Sequence, residues 1–73
     1  MDKLRAAEFV LRWALDKNIS EAEAREIRDA GEFHEDYLGI CLRISGIQAC
    51  DARPYSVSAR EYYKREASQL LNS

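Results

Sequence analysis

The sequence predicts an all-α fold, a compact four-helix single domain over residues 1–73; the alternative is an α+β fold with a β-hairpin at about 37–57 packed on helices. Three observations predict it. Apolar residues recur at helical spacing near both ends of the chain. Ser-x-x-Glu signatures, Ser20–Glu23 and Ser58–Glu61, mark two helix starts, and Gly46 is placed to end an apolar run that begins at Tyr37.

The first helix is expected over 3–17. Leu4, Ala7, Leu11, Ala14 and Leu15 repeat along one face, and Arg5, Glu8, Arg12 and Asp16 make an opposite polar stripe with pairs at i, i+4. Asn18 suits a left-handed cap, with Ile19 folding back on the last turn. The apolar arc runs past the core line, through Val10, Ala6 and Trp13 to Phe9. That is more apolar surface than one neighbouring helix covers.

The second helix is expected over 20–30. Ser20 and Glu23 form a capping box, Ala24, Ile27, Ala30 and Gly31 a small-residue inner face, and Glu21, Arg25 and Asp29 an outer ladder.

Residues 35–45 carry two conflicting periods. Leu38, Ile40, Leu42 and Ile44 alternate as a strand would, turning at Ser45-Gly46, whereas Tyr37, Ile40, Cys41 and Ile44 with Leu38 and Leu42 make a broad helical face. Gly46 at C′, with Ile47 opposite Leu42, favours a helix with a Schellman end, leaving Gly39, Arg43 and Gly46 on its outer face. Pro54 then lies in a loop, and the fourth helix is expected over 58–71. Ser58 is its N-cap, Val57 and Tyr62 its staple, and Ala59, Tyr63, Ala67, Leu70 and Leu71 its core stripe.

A chain of 73 residues with 47% hydrophobic and 33% charged content is globular in composition. A core this small leaves few large side chains to spare, so apolar surface outside it marks an interface or an oligomer. No apolar run reaches the roughly 18 residues of a membrane span, and no membrane partner is expected. Cys41 and Cys50, with one histidine and no second cysteine pair, do not make a metal-ligand set, and they are expected as reduced thiols of a cytoplasmic protein.

No phosphate loop, dinucleotide fingerprint or nucleophile motif is present, and no metal or cofactor is expected. His34 lies among acids, with nothing in the sequence placing it beside either cysteine, so the chain is expected not to be an enzyme. Net charge is -2, concentrated in residues 18–36, where seven acids face Arg25 and Arg28.

The function expected is that of a small acidic, non-catalytic protein-binding module. It would act as an inhibitor or adaptor by occupying the surface of a partner with a basic face. In size, helix content and acidity it is of the same general kind as phage-encoded inhibitors and bacteriocin immunity proteins. The candidate binding residues are Phe9 and Trp13 as anchors, which would also serve a homodimer, with Glu21, Glu26 and Asp29 for steering and Arg43 between two glycines. The alternative is a nucleic-acid-binding regulator using Arg53, Arg60, Tyr62, Lys64 and Arg65, where bases interleave with aromatics. The acidic pI near 5.3 weighs against that alternative.

Overall fold

The computed structural model describes residues 1–32, 35–53 and 55–73, and every regular element among them is helical: α1 (Lys3–Ala14), α2 (Glu21–Ala30), α3 (Tyr37–Ser45) and α4 (Val57–Leu71). Phe33, His34 and Pro54 lie outside the described residues, and with them the readings placed on His34 and Pro54. The hairpin alternative is excluded, because Tyr37–Ser45 is helix.

All four helices begin in the same way. Asp2, Ser20, Asp36 and Ser56 each stand in extended backbone and accept a bond from the amide three residues on, at 2.7, 3.1, 2.6 and 3.1 Å. Only at Ser20 is the box reciprocal, with the Ser20 amide donating to Glu23 Oε1 at 3.0 Å. The α4 cap falls at Ser56, two residues before the expected Ser58. The Ser56 hydroxyl and amide both donate to the Arg53 carbonyl, at 2.8 and 3.0 Å, so the turn that ends the loop also delivers the cap. Val57 is then the first helical residue, 77% exposed, rather than a staple against Tyr62.

The ends of α1 and α3 exchange the motifs expected of them. α1 stops at Ala14, where Asp16 takes a left-handed φ of 59°. The Lys17 amide donates to the Arg12 carbonyl and the Asp16 amide to that of Trp13, which is a Schellman pair placed two residues before Asn18. At α3, Gly46 (φ 79°) donates to the Leu42 carbonyl in the simpler left-handed cap. The buried Ser45 hydroxyl takes the place of the missing second bond. It accepts from the Ile47 amide at 3.3 Å and donates to the Leu42 carbonyl at 3.1 Å.

α1 is the central element, packed against both α4 and α3, and α2 rests on α3. This placement turns the core face of α1 away from the expected line. Ala6, Ala7, Phe9 and Val10 are buried, while Leu4 and Leu15 remain exposed. A helix walled on two sides buries a wide arc, and its alanines allow close approach: Ala6 and Ala7 on α1, like Ala59 and Ala67 on α4, are fully buried. On α2 only Ile27 is buried. Gly31, at its end, lies against α3 so closely that a Cβ there would come within 2.8 Å of Ile40 Cγ1.

Candidate protein-binding groove

Trp13 organises the aromatic side of the molecule. Its ring meets Tyr63 edge-on at a centroid distance of 5.6 Å and lies 6.0 Å from Tyr55. The loop between α3 and α4 is pinned over this cluster by two tyrosine hydroxyls. Tyr63 Oη accepts from the Cys50 amide at 2.8 Å, and Tyr62 Oη donates to the Gln48 carbonyl at 2.9 Å.

Trp13, Leu42 and Tyr63 therefore underlie an open groove of about 720 Å³ that continues along Tyr37, Leu38 and Tyr55. Tyr37 is 40% exposed and Tyr55 76% exposed. Glu35 and Asp36 also line the groove. Glu35 accepts from Arg43 Nε at 2.8 Å and from its terminal nitrogen at 3.1 Å, as well as from the Glu32 amide at 2.8 Å. These bonds, the arginine first, hold its carboxyl below the usual carboxylate range.

A second, smaller cleft of about 130 Å³ lies behind Leu38 and Tyr37. Phe9, Val10 and Trp13 of α1, Ile27 of α2 and Cys41 of α3 line it, with Lys17 and Ile19 from the α1–α2 loop.

The structure redistributes the residues singled out in the sequence. Trp13 lies on the groove. Phe9 does not reach the surface: it is 3% exposed and roofed by the Arg5 guanidinium, 4.5 Å from the ring, with Arg12 at 5.9 Å. Phe9 is therefore packed inside the fold and is not presented beside Trp13 as the second anchor that the sequence suggests.

Glu26 is not a free steering charge either. It takes Arg5 Nε at 3.0 Å and a terminal nitrogen at 3.1 Å. Glu21 and Asp29 are exposed. Arg43, beyond its pair with Glu35, donates to the Ala30 carbonyl at 3.2 Å, which makes it a tie between α3 and the end of α2.

Of the nucleic-acid candidates, Arg60 and Tyr62 hold the fold together and Arg65 sits 5.9 Å over the Tyr62 ring. Arg53 and Lys64 are exposed. Both cysteines are free thiols, and burial pushes Cys41 up to about 11, which suppresses its thiolate. Among the described residues no group of His, Cys, Asp and Glu could hold a metal ion, and no helix is long and apolar enough to cross a membrane.

The sequence does not mark Tyr37 or Tyr55 as protein-binding residues; Tyr55 stands there only among the interleaved bases and aromatics of the nucleic-acid alternative. Tyr37 falls on the apolar face that the helical spacing predicts, and Tyr55 follows Pro54 in a segment without periodicity. An aromatic in a proline-containing loop of a chain with so small a core was the available signal. Compared with known proteins, the chain matches no family model, no curated protein and no solved structure.

Proposed function

We propose that this chain is a small, non-catalytic protein-binding module, an inhibitor or adaptor that works by occupying a partner's surface through the Trp13 groove. The exposure of Tyr37 and Tyr55 along a groove that Trp13 also lines carries the reading. Large aromatics held by a rigid scaffold lose little side-chain freedom on binding and dominate interface energetics.

Among the described residues, exposed Glu21 and Asp29, with Asp36 lining the groove, stand outside the internal ion pairs and favour a partner with a basic surface. Two free thiols fit a cytoplasmic setting. The test is capture and identification of partners with the immobilised protein, followed by titration of the purified partner. Tyr37→Ser and Tyr55→Ser should each weaken binding about tenfold or more, while Leu4→Ser, at an exposed apolar position on another face, should not. Equal binding by all three variants would sink the groove as the contact surface.

A further inference from the structure

α2 is joined to the rest of the molecule in an uneven way. Among the described residues its backbone does not closely approach that of α1, and Ile27 is its one buried side chain. Its ends are tethered. Before it, the half-buried Ile19 packs on the core; after it, Gly31 abuts Ile40 and Arg43 holds the Ala30 carbonyl.

Between these tethers the connection to α1 is ionic. Arg5 binds Glu26 through two nitrogens and lies 3.6 Å from Glu23, while Arg12 binds both oxygens of Glu23. The same two guanidinium groups form the roof of Phe9. Beneath α2 lies the smaller apolar cleft, to which α2 contributes only Ile27.

We infer that α2 is an ion-latched lid. Release of Glu23 and Glu26 from Arg12 and Arg5 lets α2 roll outward between its tethers, uncovering Phe9 and opening the cleft to one apolar side chain of a partner protein. The cleft volume of about 130 Å³ fits this occupant, because an apolar cavity of about 150 Å³ accepts a single benzene ring. Lys17 at the margin favours an acidic residue next to the inserted one. This site rests on the protein-binding reading and adds to it, since the Trp13 groove includes no residue of α2.

Hydrogen exchange of the full chain tests the latch, with an apolar dye, anilinonaphthalenesulfonate, as a probe of the cleft. Glu26→Gln and Glu23→Gln each keep side-chain shape, and glutamine can still close the Ser20 box. Each should speed exchange of the α2 amides about fivefold, leave α1 and α4 amides protected, and raise dye fluorescence. The exposed Glu21→Gln should do neither.

In the unmodified protein, raising sodium chloride from about 0.1 M to about 1 M shortens the Debye length from about 10 Å to about 3 Å and should likewise speed α2 alone. Exchange of α2 in step with α1 and α4, or an equal response to Glu21→Gln, would overturn the latch. Local opening of α2 without added fluorescence would overturn the cleft as a site. Neither result touches the Tyr55 titration, which judges the outer groove separately because Tyr55 lines that groove and not the cleft.

Discussion

Arg60 lays its guanidinium 5.1 Å over the Trp13 ring and donates to the Trp13 carbonyl at 3.3 Å, joining residues 47 apart in sequence. One side chain thereby fixes the indole from its face and occupies a carbonyl at the end of α1. Asp16, 3.4 Å away, adds an ion pair whose carboxylate is almost wholly in water and adds little. Arg60→Met, which keeps the stem and loses the planar cation, should cost about 1–2 kcal/mol in urea unfolding and shift the Trp13 fluorescence maximum. An unchanged spectrum would show that the stack does not persist in solution.

Ser45 is fully buried, and its hydroxyl bridges the Ile47 amide and the Leu42 carbonyl. Ser45→Ala exchanges the hydroxyl for a hydrogen, a small change in volume, but leaves a buried amide without its acceptor. The expected loss is about 1–3 kcal/mol, read as a lower urea midpoint with an unchanged slope. A loss near zero would mean that water or a relaxed backbone takes over the bond.

Asp16 holds a left-handed backbone that costs a side chain energy, and it places an acid where the dipole of α1 is negative. Asp16→Gly relieves both effects and should stabilise the protein by about 1 kcal/mol, raising Tm by several degrees. Asp16→Asn should give part of that gain, because asparagine tolerates the conformation and carries no charge. A lower Tm for both variants would show that the Arg60 pair matters more than its exposure implies.

Acid should loosen the molecule through three glutamates. Arg12 and the Ser20 amide pull Glu23 down to about 2 from an ordinary 4.5. Arg5 lowers Glu26, helped by the N-terminal charge and opposed by neighbouring Glu23, and Arg43 with the Glu32 amide lowers Glu35. Each folded-state value lies below the unfolded one, so the stabilisation is complete above about pH 4.5 and is lost as pH falls, for Glu23 down to about pH 2. Urea midpoints measured across this range should fall steadily, and Glu23→Gln should flatten the fall. A midpoint constant between pH 5 and 2 would contradict the ion-pair geometry.

What was legible in the sequence is what local chemistry decides. Ser20 with Glu23 is a capping box in the chain and in the structure, and Gly46 ends α3 because the left-handed turn there suits a residue without a side chain. Positions decided by distant residues were harder to read. Asn18 has the better propensity for a left-handed cap, yet the turn forms at Asp16, bringing Ile19 onto the core and Ser20 to the start of α2.

Phe9 looked like the exposed flank of an amphipathic helix, and it is buried because Arg5 and Arg12 reach over it to acids 21 and 11 residues away. No i, i+4 rule contains those pairs. The groove was half legible for the same reason. Trp13 stood out as an aromatic beyond the core line, whereas Tyr37 and Tyr55 gain meaning only once the loop is pinned beside them by Tyr62 and Tyr63.

The four matching helix starts bear on how the chain folds. Each start is a bond spanning three residues, so every helix carries its own nucleation device and needs no distant segment to begin winding. The packing of α1 on α4 joins the most sequence-distant pair of helices, a non-local contact whose loop-closure entropy the local caps do not offset. Changes at Asp2, Ser20, Asp36 or Ser56 alter how often a partly wound chain is ready for that encounter. At Ala6, Ala7, Ala59 or Ala67, all fully buried, a larger side chain would instead hold the packed helices apart.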